Sequence, residues 1–591
     1  MNKLIIKYIV FSISIICLLI PLSILAQDSY SPIKFSGSNR IYGQYSSRQG
    51  SFSQVPASFL REELNLRLEI YGIPLSSSFF LSTEQRGIRQ NINTFNFSIN
   101  PKQLLMNKAK QELYKTKPGK FFRKLMSTFS TIEIGTCRPT YSPLILNGIP
   151  VKGVNIEFTP GIFYSAFVSG KTKKRIQNVE ASQQTYEQYL QFGKIGLGKK
   201  DKSHFFVSFL HVKDDENSMT PDSSFYISRA DTIILPGDTI IHNQDTSAYT
   251  IKPQENFVAG TEAKLFLFKK KFYLGGELAV SMLTRDMTAS DIEINDENVP
   301  KWAKDYFNPK VSSSIDYAYS VNTAINLKTT KLSGSYKMVG PGFNSFGTPY
   351  LRNDFKTYEA KISQSLLKRK ISVSSYFRKS KDNLIDWKNS TTTYTAYGIS
   401  ASFRFRKFPY FVINYSPYLQ SNKSDTSEKE NKTQIFNFSS GYNYKIKDLR
   451  ASTNFNYSLQ NSEIQFDTTS NNYKTSTYSV YENLSFKKPL SLSFVVSLSN
   501  REYPENTTQI YTYGLSGTYS TSKKWRNTFG ITLSNQKSKN IKTRIYLNSS
   551  FQAWKFGQMS LRAEQNFYRD KEQTDKNYDG LILRVIFTKK F

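Results

Sequence analysis

The sequence predicts an all-β protein: one large antiparallel sheet of about 22–26 strands, closed into a barrel that crosses a membrane, with one short helical insertion. Three observations carry that expectation. An export leader opens the chain, apolar and polar residues alternate along most of the remaining sequence, and the connections alternate between short and long.

The leader comes first. Lys3 and Lys7 precede or interrupt an apolar run from Leu4 to Ala26, which closes on Ser23-Ile24-Leu25-Ala26. A charged start, an apolar middle and a small residue at the end predict a secretory signal peptide over residues 1–26, cleaved after Ala26. The run is nearly long enough to serve as an uncleaved anchor, but Pro21 and the small residue at the cut favour cleavage. Cys17 lies inside the run, away from the cut, so no lipid anchor is expected there.

Cleavage removes two lysines and no acids, taking the formal charge from +33 to +31. Cys137 is then the lone cysteine, and an exported chain without a disulfide needs another source of stability, such as an extensive hydrogen-bonded sheet. The 38 Tyr and 44 Phe against 4 Trp, with abundant Ser, Thr and Asn, suit strands and turns. After residue 26 no apolar stretch approaches the ~20 residues of a spanning helix. A closed barrel needs none, because its backbone is satisfied between strands. The basic excess does not point to nucleic acid, since the chain is exported and its lysines and arginines are spread along its length. Anionic lipid headgroups, anions in a pore, or simple solvation of loops account for it.

The strands justify themselves in order. Leu60, Leu64, Leu66, Leu68 and Ile70 alternate with Arg61, Glu63, Asn65, Arg67 and Glu69. Tyr397, Ile399, Ala401 and Phe403 oppose Ser400, Ser402 and Arg404. Leu490, Leu492, Phe494 and Val496 oppose Ser491, Ser493 and Ser497, and Ile541, Ile545 and Leu547 oppose Lys542, Arg544 and Asn548. Met559, Leu561 and Ala563 oppose Ser560, Arg562 and Glu564. The last strand sets Leu581, Leu583, Val585 and Phe587 against Ile582, Arg584 and Ile586, and the chain stops at Phe591.

Short links at 268–271, 367–370, 406–409, 445–449 and 487–490 alternate with longer polar ones at 381–392, 421–432, 461–474, 501–508 and 569–579. Short turns at one end and long loops at the other are the pattern of a transmembrane barrel, the short side being periplasmic. Two segments interrupt it. Residues 101–129 predict a helical periplasmic or lumen insertion. Residues 214–255 predict a long extracellular loop, within which the repeated Asp-Thr-Ile-Ile at Asp231–Ile234 and Asp238–Ile241 suggests a hairpin. Residues 27–591 are otherwise one barrel.

On these residues the chain resembles Gram-negative outer-membrane β-barrel proteins. The resemblance covers essentially the whole chain after the leader and rests on architecture, not on a catalytic motif. It implies residence in the cell outer membrane, contact with outer-membrane lipids and lipopolysaccharide, and recognition of the terminal strand by the barrel-assembly machinery. Leu583, Val585, Phe587 and Phe591 occupy the places of that assembly signal, while Lys589 departs from it and is expected to turn its charge to water. Only about ten residues separate Gln27 from the first plausible strand, too few for a TonB-type plug domain.

No catalytic, cofactor or metal site is expected. His204 and His211 share a strand but point to opposite faces, and no His-Glu-x-x-His spacing occurs. Asp575, Asn577, Asp579 and Gly580 open like a calcium loop, but its twelfth position is Ile586. If the apolar parity faces lipid, Arg404, Lys542, Arg544, Arg562, Glu564 and Arg584 line the lumen and favour anions. Gly340, Pro341, Gly342 and Phe343 form a candidate constriction loop or a plain rigid turn. The function expected is a passive pore or conduit. The alternative is a non-conducting barrel serving a periplasmic or envelope partner.

Overall fold

The computed structural model describes residues 33–591 apart from 51–57, 71–72, 85–89, 91, 100, 102–127, 178–183, 220–224, 236–237, 250, 293–308 and 554–555. The leader and nearly all of the 101–129 insertion therefore lie outside the described residues.

One sheet runs through almost the whole described chain, and every neighbouring pair in it is antiparallel and consecutive around the ring. The first strand, Ile33–Gly50, pairs on one side with Phe59–Ile70 and on the other with the last strand, Tyr578–Lys590, so the sheet closes. One stave is made of two pieces, Tyr410–Tyr415 and Tyr418–Ser424, which both pair with Glu428–Ile446. The break falls at Ser416-Pro417, where proline has no N–H to give the ladder. The result is a closed barrel of 26 strands. Closure leaves no edge, which satisfies the backbone without water.

Alternation decides the two faces. Leu274, Leu278 and Val280 are exposed on the outer parity of Phe272–Thr284, while Glu277, Ala279 and Ser281 between them are buried inside. The same rule places Phe205 and Phe209 outward and Phe206 and Leu210 inward on His204–Asp215.

Connections at one end are tight, as at 268–271, 327–329, 367–370 and 447–448. The opposite end carries the longer ones, including 138–150, 285–312 and 340–354. Two polar stretches expected there as long loops, 421–432 and 461–474, are instead mostly strand. Glu428–Ile446 and Leu449–Phe466 run 19 and 18 residues, and Leu449–Phe466 passes to Thr469–Ser485 through a tight turn at Asp467. At ~3.3 Å per residue such strands are far longer than a ~30 Å hydrocarbon layer needs. Beyond it both faces are wet, so the apolar alternation fades while the hydrogen-bonded ladder continues. The 214–255 connection does contain a hairpin: Phe225–Leu235 pairs with Asp238–Tyr249.

Candidate functional site

The lumen is divided into two unlike arcs. In the first, two long-end connections fold inward and meet. Residues 138–150 form a small hairpin, Thr140–Ser142 with Leu146–Asn147. Residues 340–354 approach it from about two hundred positions away. The Ser345 hydroxyl donates to the Ile145 carbonyl (2.7 Å), the Thr348 hydroxyl to the Leu144 carbonyl (3.2 Å), and the Asn147 N–H to the Gly347 carbonyl (3.0 Å). A Cβ at Gly347 would strike the Ile145 carbonyl, so only glycine permits this approach. Around them Tyr141, Leu144, Ile145, Leu146 and Phe343 bury against Phe192, Phe206, Leu210, Val258 and Ala279 on the inner wall.

The wall supplies polar anchors. Asn256 Nδ2 donates to the Asn344 carbonyl (3.0 Å) and its Oδ1 accepts the Phe346 N–H (2.9 Å). Asp316 accepts the Gly342 N–H (2.7 Å). The Lys194 ammonium donates to the Tyr141 carbonyl (2.8 Å) and to Glu262 (2.6 Å), which also meets His204 (3.2 Å) and Lys264 (2.5 Å). The Ser142 hydroxyl bonds Glu277. At the rim the buried Asp354 carboxylate takes the Leu384 N–H (2.9 Å), the Trp387 indole N–H (3.1 Å) and the Lys388 ammonium (2.5 Å), tying this loop to the next. Burial alone would raise the Asp354 carboxyl, but Lys388 and the two N–H donors hold it below the usual carboxylate range.

The second arc, from Ser390 to Gln536, presents hydroxyls and amides at mid-strand. Thr477 donates to Ser499 (3.1 Å), Thr512 meets Ser534 (3.1 Å), and Thr518 meets Thr528 (2.9 Å). These side chains are half-buried. No described loop packs on them as 138–150 and 340–354 pack on the first arc.

Most of the predicted lumen residues share one stretch of wall. Lys542 and Arg544, Arg562 and Glu564, and Arg584 share the inward parity of three successive strands, Asn540–Ala553, Gly557–Asp570 and Tyr578–Lys590. Arg404 does not join them. Its strand ends at Phe403, and Arg404 is exposed in the basic turn before Pro409. Gly340, Pro341, Gly342 and Phe343 begin the inward-folded second loop. Leu583, Val585 and Phe587 share the outer face of the closing strand, and Phe591 pairs its backbone with Gly37 (2.7 and 3.1 Å) and stacks on Phe35 at 5.4 Å. Lys589, expected to reach water, is instead 4% exposed, opposite the buried Asn39 on the closing seam.

His204 and His211 do face opposite sides. His211 points outward and bonds Glu255 (2.8 Å), in a rim pocket with Tyr189, Gln191, Lys213 and Asp214 but without serine or cysteine. The side chain of His242 lies outside the described residues. Asp579 is engaged by Arg569 (2.5 Å). Among the described residues no group of three His, Cys, Asp or Glu is placed to hold a metal.

Sequence reasoning missed residues 138–150 and the Lys194–Glu262–His204 cluster. A signal existed: in Glu187–Gly198 both parities carry large apolar residues, Leu190 and Phe192 beside Tyr189, Ile195 and Leu197. A strand apolar on both faces is covered on both.

No known family profile matches the sequence, and no curated protein does. Solved structures similar in fold include OccAB4 of Acinetobacter baumannii, at 12% identity over 62% of this chain and 96% of that one with a TM-score of 0.28. The outer membrane protein OpdK of Pseudomonas aeruginosa shows 8% identity over 57% and 94%, with a TM-score of 0.27. The P pilus usher PapC translocation pore shows 8% identity over 94% and 98%, with a TM-score of 0.24. Likeness at this level transfers no substrate and no residue role to this chain. Its barrel architecture rests on its own strand pairing.

Proposed function

We propose that this protein is an outer-membrane pore or transport conduit, passing small hydrophilic solutes by diffusion along the unplugged arc and favouring anions. The observation that carries this reading is the division of the lumen. With strands ~4.8 Å apart and tilted about 40°, a 26-strand ring is roughly 50 Å across if circular. Two inward loops fill one side of such a space. The wetted Ser, Thr and Asn wall opposite, flanked by Arg544, Arg562 and Arg584, suits hydrated solutes of negative charge. We read the protein as non-catalytic, because the pocket of its outward His211 is lined by no described serine or cysteine to act as nucleophile.

The terminal strand supports the same location: Leu583, Val585 and Phe587 share the outer face of the barrel's last pairing element, where the assembly machinery would read them, with lipid and lipopolysaccharide around it. A second reading is a non-conducting barrel serving as a structural or assembly component of an envelope complex. It is favoured by the loops, which interlock through Ser345, Thr348 and Asn147 and pack on the inner wall.

Single-channel recording of the refolded chain in planar bilayers, under anion and cation gradients, decides. Steady conductance with a reversal potential favouring anions is expected. A folded, heat-modifiable barrel that never conducts would overturn the conduit and leave the second reading.

A further inference from the structure

On the lumen wall where the last three strands meet, Arg562 lies directly opposite Arg584, and Arg544 lies two inward rows away, opposite Asn566, with Tyr546 and Glu564 in the row between. Like charges placed directly across a sheet repel. The carboxylate among them is Glu564, in the row between Arg544 and Arg562. Glu564 accepts from Arg562 on Oε2 (2.8 Å) and from the Asn566 amide on Oε1 (3.2 Å). Arg584 turns its Nε–H to the Gln44 amide oxygen instead (2.9 Å). The Nε–H groups of Arg544 and Arg562 are buried and have no partner. Unpaired donors of this kind are costly unless a ligand or ordered water takes them.

Tyr546 sits between the two. Its ring centre is 5.8 Å from the Arg544 guanidinium carbon and 5.5 Å from that of Arg562, which holds both planar groups against one face of the wall. Three guanidiniums fixed by a ring and an amide, with the Arg562 side chain 37% exposed and a charge excess on the inward face, are arranged to receive oxyanions on their forks.

We infer that Arg544, Arg562 and Arg584, positioned by Tyr546 and Gln44, form a defined subsite for the carboxylate or phosphate groups of a small solute. This inference rests on the conduit reading and sharpens it, from a diffuse preference for anions to a place where an oxyanion stops. A lumen that merely hydrates its charges would accept lysine at these positions. A bidentate subsite would not.

The test uses the full chain refolded into planar bilayers carrying a chloride current, with citrate or inorganic phosphate added. Concentration-dependent block is expected, and whichever anion blocks at lower concentration names the group preferred. Arg562→Gln and Arg562→Lys should each weaken block at least tenfold. Arg526→Gln, which removes a charge of the same sign two strands away and one inward row from Arg562, should leave it within twofold. Heat-modifiable mobility on gels confirms that each variant folds. Absence of block in a conducting wild-type barrel overturns the subsite and spares the conduit, and so does equal weakening by Arg526→Gln. If the barrel does not conduct, calorimetric titration of the detergent-solubilised protein with citrate decides the subsite alone: binding abolished by Arg562→Gln supports it, and no binding to the wild type overturns it.

Discussion

Between Val151 and Val339 the barrel's inward parity holds Leu190, Phe192, Phe206, Leu210, Val258 and Ala279; between Ser390 and Gln536 it is mostly Ser, Thr and Asn, with Tyr481, Val495 and Ile510 scattered among them. The backbone ladder is the same in both arcs. What differs is whether the inner face has been given something to bury. Apolar inner residues form half a core, and loops 138–150 and 340–354 bring the other half, so that arc is buried and most of its polar groups, such as Lys194, Glu262 and Asn256, are paired. Hydroxyls and amides lose little by facing water and gain nothing from a loop, and no described loop covers that arc. In a barrel too wide to be filled by its own wall, inner-face composition rather than topology sets where an inward loop seats.

The sharpest way to break this contrast is to hollow the plug. Phe343 is 1% exposed and sits among Tyr141, Leu144 and Ile145. Phe343→Ala should cost about 3–5 kcal/mol of the loop's seating. The loops should then become protease-sensitive, and single-channel conductance should rise if they bound the conduit. Unchanged conductance with a loosened loop would show that solute never passes beside the plug.

Next in size is the buried cation. Lys194 is 1% exposed, and Lys194→Met removes the tie to Tyr141 while leaving Glu262 to His204 and Lys264. Removing one partner of a buried pair costs ~3–5 kcal/mol when the other is left alone. With two partners remaining, the loss should fall at or below the low end of that range, read as a shift in denaturant midpoint of the detergent-folded barrel. A Glu262→Gln change made with it should recover part of the loss.

Much of the outer architecture was legible, because a membrane forces an apolar residue at every second outward position and Leu490, Leu492, Phe494 and Val496 obey it. The inward arginines were legible by the same parity. Their meeting was not, since Arg562 faces Arg584 only through a register set by the 571–577 turn. The plug was least legible. Ser345 and Ile145 are 200 positions apart, and nothing local to either announces the other. The long strands through 421–432 and 461–474 escaped for a different reason: with water on both faces, a paired strand and a loop have the same composition.

The rim is held more lightly, and pH reads it. Asp354 is pulled below the ordinary carboxylate range by Lys388, Leu384 N–H and Trp387, against the opposing effect of burial. A depressed carboxyl contributes stability that is whole above its unfolded pKa and is lost as pH falls through the folded one. The tie between loops 340–354 and 383–389 should therefore persist at neutral pH and fail only in strong acid, below the normal aspartate range. Asp354→Asn should cost about 1–2 kcal/mol at neutral pH and remove that acid step. Hydrogen exchange at the Leu384 amide is the readout, and an acid step surviving in the variant would assign it to another group.

The smallest effect expected is on the open wall, and its smallness is what gives it weight. Thr477 donates to Ser499 across the sheet, and both are half-buried at a wetted surface. Thr477→Val swaps the hydroxyl for a methyl of similar volume and frees the Ser499 hydroxyl to water rather than orphaning it. The change in unfolding free energy should stay within about 0.5 kcal/mol, the range for surface substitutions without a buried partner. The reverse change in the dry arc, Val258→Thr, puts a hydroxyl where Val258 is 0% exposed and should cost ~1–3 kcal/mol unless it finds an acceptor. The two substitutions exchange the same atoms on the inner face of one barrel. Equal costs would mean that the second arc is as dry as the first, that something covers it in the folded protein, and that no open passage exists.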